Sequence, residues 1–416
     1  MKFKNLSFLV IFLFSACEVE QIKPAEPIPA PEETPSVDST EFERPGDETN
    51  EEKNDRENVE VGNGSGQLII KDASEKNFIV KPGTYWNITI ENIKNSTING
   101  KSVLIEGGDM KISNVSKLEV SGVNFENYSQ TAVIIKDDAN DLTLRDLRFK
   151  NIANTVIVFK KDKKFDGNPS SYSENIQLDN IYAENTGMLF GSAGGIQEDG
   201  FYGLIKRFKL TNSTIKNSPI LSNAVYLSLG EDYEFSNNTI DNVNSKNNNH
   251  NGIFFAQGNG KAFGNKVTNH QGNMIRAWLF SIDKPNATVE IYDNVVYNST
   301  RYGAFELQVT PTIESFSVFK PANAKIYNNT VGRLNTGIPK YFEGRLLDLY
   351  QTFGTVEIYN NLSFDLYDDN LINNMHDARV TKITKNANNV YRKKGSDAVT
   401  DLKSFLSKIP GVGARK

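Results

Sequence analysis

The sequence predicts an all-β chain wound as a stacked coil, with three short strands per turn. Three observations predict it. First, an Asn or Asp recurs nine times at one place in a short apolar pattern: Leu144-Arg-Asp146, Leu178-Asp-Asn180, Leu210-Thr-Asn212, Phe235-Ser-Asn237, Phe263-Gly-Asn265, Ile291-Tyr-Asp293, Ile326-Tyr-Asn328, Ile358-Tyr-Asn360 and Asn386-Ala-Asn388. Successive copies lie roughly 25–35 residues apart, a period typical of stacked repeats. Second, each copy is too short to bury its own apolar face, so only its neighbours can supply a core. Third, apolar and polar residues alternate over three to five positions, as in half-buried strands, and no convincing helical period appears between residues 66 and 390.

Bulk composition is consistent with this. A length of 416 residues is enough for two or three ordinary domains, but the repeat argues for one solenoid. The charge balance, 46 basic against 51 acidic residues for a net −5, disfavours a nucleic-acid binder, which carries a basic stripe. Cys17 is the sole cysteine, so neither an internal disulfide nor a thiolate metal centre is expected. The three histidines, His250, His270 and His376, are scattered and give no metal-binding spacing.

Taken in order, the chain opens with a targeting segment. Lys2 and Lys4 precede an apolar run over residues 6–14 that is too short for a mature membrane span. Phe14-Ser15-Ala16-Cys17 follows. It resembles the lipobox of bacterial lipoproteins, where cleavage precedes a lipid-carrying Cys; small residues at 15 and 16 fit, and Phe14 departs from the usual Leu. Residues 1–16 are therefore expected to be a signal peptide and Cys17 the site of lipidation. Residues 17–65, rich in Pro, Glu, Asp, Asn, Ser and Thr, cannot bury a core and are expected to form an extended tether. Glu18 and Glu20 look like the acidic signals that send some lipoproteins to the outer face of the outer membrane.

The coil is expected over residues 66–395. Early short strands are Ile88-Thr-Ile90, Val103-Leu-Ile105, Met110-Lys-Ile112 and Leu118-Glu-Val120. Later repeats read as a strand ending at the recurrent Asn, a tight turn, a short strand such as Thr239-Ile240 or Val295-Val296, a loop, and then a third strand. The third strands begin Ala132-Val-Ile-Ile, Thr155-Val-Ile-Val-Phe, Ala224-Val-Tyr-Leu, Gly252-Ile-Phe-Phe, Asn273-Met-Ile-Arg, Gly303-Ala-Phe-Glu and Arg345-Leu-Leu-Asp. Asn suits the corner because it tolerates left-handed backbone, and its amide can bond to the same amide in the coils above and below. The many Asn-X-Ser/Thr triplets, at Asn212, Asn237 and Asn298 among others, then follow from the corner and do not indicate glycosylation. Residues 396–416 are read as a tail with an amphipathic helix over 397–408, either a cap on the last coil or a frayed end.

With its Asn corner and its opening Lys81-Pro-Gly-Thr-Tyr85, the chain resembles the right-handed parallel β-helix family of pectate-lyase-like proteins over residues 66–395. The resemblance implies a single-stranded right-handed parallel β-helix with an Asn ladder. It is specific for fold and weak for activity, because this fold hosts many functions. It also implies that a substrate cleft runs along the third strand, flanked by long loops such as 244–251 and 335–344.

Alternation then selects candidate residues. If Val225, Ile253, Ile275, Phe305 and Leu347 point inward, Tyr226, Phe254, Arg276, Trp278, Glu306, Gln308, Asp348 and Tyr350 point outward. Aromatic rings stack on sugar faces, and a guanidinium fork recognises carboxylate or sulfate. Tyr226, Phe254, Trp278, Gln308 and Tyr350 are the substrate-binding candidates; Arg276, Glu306, Asp348 and the loop residue His250 are the catalytic ones. His250 suits a general base at neutral pH, whereas His270, at a strand end, is read as structural. The expected activity is β-elimination on an acidic polysaccharide. Arg276 neutralises the substrate carboxylate, and Glu306 and Asp348 are candidate oxygen ligands for calcium. A carboxylate pair also suits hydrolysis, but the Asn-Thr-Asp, Asp-Asp, Gly-His-Gly and Arg-Ile-Lys signatures of the polygalacturonase branch are absent. The rival expectation is a non-catalytic surface module that binds glycans.

Overall fold

Strands this short and this rich in β-branched residues need hydrogen-bonded neighbours on both sides, and here the neighbour is the next turn of the same chain. The computed structural model describes residues 56–246, 251–282, 284–338, 343–367, 369–392 and 410–415. The described chain is a parallel β-helix. Almost every pairing is parallel and joins equivalent positions of consecutive coils; Leu144, Leu178 and Leu210, for example, stand in register. Three strands make one coil. In one turn these are the end of Val225–Ser236, then Thr239–Val243, then the start of Gly252–Phe263.

The core is a set of side-chain columns along the helix axis. Leu144, Leu178, Leu210, Phe235, Ala262, Ile291, Ile326 and Ile358 form one, and all are fully buried. Phe149, Ala183, Ile215, Ile240, Val267, Val296 and Val331 form the second. The third runs through Ile157, Phe190, Val225, Phe254, Ile275, Phe305 and Leu347. Like side chains meet at one strand spacing, which aligns aromatic rings: Phe125 stacks on Phe149, its partner in the next coil, at 4.8 Å.

The recurrent Asn proves to mark two adjacent positions. Asp146, Asn180, Asn212, Asn237, Asp293, Asn328, Asn360 and Asn388 are corner residues with φ of 52–56°, the left-handed region that Asn tolerates. The ladder belongs to the residue that follows: Asn238, Asn265, Asn294, Asn329 and Asn361, all buried, and the half-buried Asn389. Asn265 donates its Nδ2 to the Oδ1 of Asn294 at 2.9 Å and to the carbonyl of Phe235 at 2.8 Å. Its Oδ1 accepts from both the backbone N and the Nδ2 of Asn238. In Phe263-Gly-Asn265 the corner itself is Gly264, φ 65°, so that member of the series is a ladder residue. At the end of the second strand a separate, exposed series links Asn151, Asn185, Asn217, Asn242, Asn269 and Asn298 to the coil before.

The sheet starts before residue 66, because Glu57–Val61 pairs in parallel with Lys76–Val80. Val59 and Val61 alternate with polar neighbours and pack on the core, a five-residue signal that the surrounding acidic composition hides. The expected C-terminal helix at 397–408 lies outside the described residues, as do the signal segment and Cys17.

The coil also grows. Thr97 bonds to Asn77, 20 residues back, whereas Asn180 bonds to Asp146, 34 back. The extra length forms loops around the third strand. Phe201, Leu204, Leu229, Phe280, Ile282, Val309 and Ile313 make a second small core there, with Phe165, Phe316 and Phe319 packed against it. The hairpin Gly195–Gln197 with Gly200–Tyr202, and the antiparallel strand Phe319–Pro321, belong to this wall.

Candidate functional site

The outer side of the third strand carries one row of side chains per outward position. Register fixes the first row as Tyr226, Phe255, Arg276, Glu306, Asp348 and Asn373. A second row, two residues further along, holds Gln257, Trp278 and Gln308, with Tyr350 following Leu349. Arg276, Glu306 and Asp348 therefore do come from three consecutive coils and face the same way.

Phe254 does not belong with them. It pairs with Val225 and Ile275, is fully buried and stacks on Phe235. The outward residue of that coil is Phe255, whose ring lies 4.8 Å from that of Tyr226 and within 2° of parallel. The cause is the corner before the strand. Ala224, Ile253, Met274, Ala304 and Leu346 are also fully buried, so two successive residues point inward there. In the apolar run Ile253-Phe254-Phe255 nothing in the sequence marks where alternation resumes.

The row is polar but not solvated. Glu306 is fully buried. Its Oε1 accepts from the Nε of Arg276 at 2.8 Å and from the Nε2 of Gln308 at 2.9 Å. Its Oε2 accepts from the Nδ2 of Asn273 at 2.7 Å. Arg276 keeps 23% of its side-chain surface exposed, and its guanidinium lies 5.7 Å from the Phe255 ring centre. Buried charges persist when paired and hydrogen-bonded; Glu306 meets that condition and holds Arg276 in place.

Asp348 is in a different state. It is fully buried, and the Nδ2 of Asn373 donates to its Oδ1 at 3.1 Å. Its Oδ2 has no hydrogen-bond partner. Burial pushes its carboxyl well above the usual range, and the nearby carboxylates of Glu343 and Glu306 add to the rise. Asp348 therefore holds its proton more tightly than an exposed carboxyl does, beside a salt-bridged Glu306. Glu343, itself buried, accepts from the Tyr350 hydroxyl at 2.6 Å; burial followed by this bond drives the Tyr350 phenol upward, so Tyr350 serves as a hydrogen-bond donor.

A calcium ion does not fit this donor set. Glu306 gives both oxygens to N–H donors, and an ion beside it would meet the Arg276 guanidinium. Among the described residues no group of three His, Cys, Asp or Glu side chains is arranged to hold a metal. The calcium expectation for Glu306 and Asp348 is withdrawn on these grounds.

Trp278 is half-buried under the loop core and tilted against Phe255 at 6.2 Å, so it supports the floor more than it offers a free ring. His250 lies outside the described residues. Its neighbour Asn251 is fixed: the Asn251 carbonyl accepts from the backbone N of Asn273, the residue that binds Glu306. His270 is buried in line with Val243 and Ser299, its Nδ1 3.0 Å from the Gly272 carbonyl. Phe255, Asn273, Glu343 and Asn373 complete the site and were not singled out from sequence. Asn273 opens a third strand and Glu343 sits in the long 335–344 loop, but neither position reveals a partner until register is known.

Comparison with known proteins bears on the fold. The family described as right handed beta helix region matches residues 110–283. No curated protein matches the chain. Eleven chains of solved structures match. One is the pectate lyase Bsp165PelA from Bacillus sp. N165, solved with trigalacturonate: 12% identity, 86% of this chain and 96% of that chain covered, TM-score 0.30.

Proposed function

We propose that this chain is a surface protein acting on an acidic polysaccharide, which it cleaves by β-elimination on the outer face of the third strand, and that lipid on Cys17 anchors it to a bacterial outer membrane. The observation that carries the reading is Asp348: a buried carboxyl, pushed upward by that burial, with one unpartnered oxygen, one coil from the Arg276–Glu306 pair. Elimination needs an acid of this kind and a cation beside it. Arg276, held by Glu306, neutralises the uronate carboxylate and acidifies the adjacent C–H. His250 takes that proton. The C–O bond to the leaving sugar breaks as the C=C bond forms, and Asp348 transfers its proton to the departing oxygen. Tyr226, Phe255, Gln308 and Tyr350 form the surrounding floor. Glu306 is a positioning residue, because its oxygens are taken up by donors.

A non-catalytic glycan-binding module is the second reading, and the complete burial of Glu306 and Asp348 favours it. One experiment separates the two. The protein is incubated with polygalacturonate, alginate and glycosaminoglycans, and ultraviolet absorbance of an unsaturated product is followed. Elimination predicts product from at least one polymer. Arg276→Ala and Asp348→Asn should each lower the rate by roughly 10²-fold or more. Binding without product from any of these polymers establishes the module reading instead.

A further inference from the structure

The turn that leads from the third strand into the first encloses a cleft of about 720 Å³, a size common for small-ligand sites. Its lining comes from the turns of four consecutive coils, at Asn286, Pro321, Phe353 and Val380. No residue of the two outward rows of the third strand lines it. Two neighbours shape it. Gly354 is buried, and a Cβ there would stand 2.2 Å from the Ala322 carbonyl oxygen, so the backbone presses against the coil before. Phe353, one residue earlier, takes a left-handed φ of 60°, a region that bulky side chains rarely occupy. Its ring meets Phe319 edge-on at 6.1 Å and stays half-buried. Backbone outliers of this kind gather at binding sites, where the surrounding structure holds them.

The polar part of the lining is rich in donors. Asn323 gives its Oδ1 to the backbone N and the Oγ1 of Thr355, at 2.9 and 2.8 Å, which leaves its amide N–H groups for a ligand. Lys382 stands in register with Thr355 in the next coil and is exposed. Lys320 is half-buried, and its Nζ bonds to the Ser317 carbonyl at 3.3 Å. Among the described residues neither ammonium is paired with a carboxylate. Arg379, also on the lining, is held by Asp377. Glu314 is the one carboxylate that lines the cleft. Ammonium and amide donors in excess suit an oxyanion. The open parts of Phe353 and Phe319 suit the apolar face of a ring.

We propose that this cleft is a second binding site, for a six-membered ring that carries a carboxylate or sulfate, with the ring against Phe353 and the oxyanion between Lys320 and Lys382. An acidic sugar and an aryl acid share this chemistry. The site is separate from the face that carries Arg276, Glu306 and Asp348, and it does not depend on elimination taking place there.

The test is a saturation-transfer NMR titration of the full-length chain with galacturonate, glucose 6-sulfate and benzoate, and with glucose and inorganic sulfate as controls. Arg276→Ala is titrated beside the wild type, so that binding on the third-strand face is told apart. At least one ring acid should bind in both proteins, with each control weaker by about tenfold or more. Lys320→Glu combined with Lys382→Glu should weaken the ring acid by about tenfold or more. Phe353→Gly accepts the left-handed φ and deletes the ring, and should cost about fivefold or more in affinity. If Phe353→Gly does not fold, the lysine variant carries the test. Binding of either sugar acid makes an acidic sugar the occupant, and binding of benzoate alone makes it an aryl acid; both support the site. Wild-type affinity in the lysine variant overturns it, as does a control that binds as tightly as the ring acids, or no binding by any of them. Binding lost in Arg276→Ala but kept in the lysine variant belongs to the third-strand face and also overturns it. Unsaturated product from a polymer alongside any of these failures leaves elimination standing.

Discussion

Glu306 and Asp348 are adjacent rungs of one row, both fully buried, and their environments set them apart. Three N–H donors, one of them from the Arg276 guanidinium, hold Glu306 in place. Burial, with two carboxylates nearby and one amide to offset them, pushes the Asp348 carboxyl well above its ordinary range. Two carboxyl groups whose surroundings differ in this way are the usual basis for dividing acid chemistry from electrostatic support. His270 shows a similar effect with a structural outcome. Burial depresses its pKa from 6.5 to about 4, only partly opposed by its bond to Gly272, and its Nε2 has no partner. The unfolded chain binds a proton near pH 6.5 while the folded chain refuses it until about pH 4. His270 therefore stabilises fully above pH 6.5, and that contribution is lost as pH falls through the window down to about 4. The expected loss is on the order of 3 kcal/mol. His270→Asn, whose amide can replace the Nδ1 donor, should flatten this acid limb in thermal melts taken from pH 7 to pH 4. An unchanged acid limb would show that other groups govern it.

At the scale of the corner between first and second strands, two adjacent residues do different jobs and should fail differently. Asn294 accepts from the backbone N and the Nδ2 of Asn265, and donates to the Ala262 carbonyl and to Asn329. Asn294→Ala strands a buried N–H and a buried C=O, each worth about 1–3 kcal/mol. The expected cost in denaturant unfolding is roughly 3–5 kcal/mol. Asn237, one position earlier in its own coil, contributes its left-handed φ of 56°. Asn237→Ala should cost only about 1–2 kcal/mol, and Asn237→Gly less still. Equal costs for Asn294→Ala and Asn237→Ala would mean the ladder adds nothing beyond backbone conformation. The sequence showed the corner because eight of its residues must adopt one unusual φ, which restricts the residue type. It showed the ladder less clearly, since the ladder residue directly follows the corner and Phe263-Gly-Asn265 merges the two.

At the scale of the whole molecule, periodicity makes the coil and the third strand legible in the sequence. Arg276, Glu306 and Asp348 could be placed on one face because their strands keep register over three coils. What the sequence withheld is whatever depends on distance across loops. The exchange of Phe254 for Phe255 follows from a corner with two inward residues. Glu343 and Asn373 reach Asp348 from separate loops and coils, and no spacing announces them. Glu57–Val61 was hidden by the composition around it.

The same limit applies to how the molecule is held in place, where the sequence speaks alone. A coil that binds a polymer along its axis must present that axis freely, and an acidic, Pro-rich segment between a lipid and the first strand would let it do so. The chain's one cysteine follows Ser15 and Ala16 behind a short apolar run. One acyl chain anchors a protein only marginally, so stable retention needs the full lipid modification of that cysteine. Full-length protein expressed in a bacterium with outer-membrane lipoprotein export should fractionate with the membrane and be cut from intact cells by added protease. Cys17→Ala should move it to the soluble fraction without changing its melting temperature, because position 17 is far in sequence from the first described strand, Glu57–Val61. Membrane retention of Cys17→Ala would remove the lipid anchor from the proposal, and the groove would then have to act from a different tether.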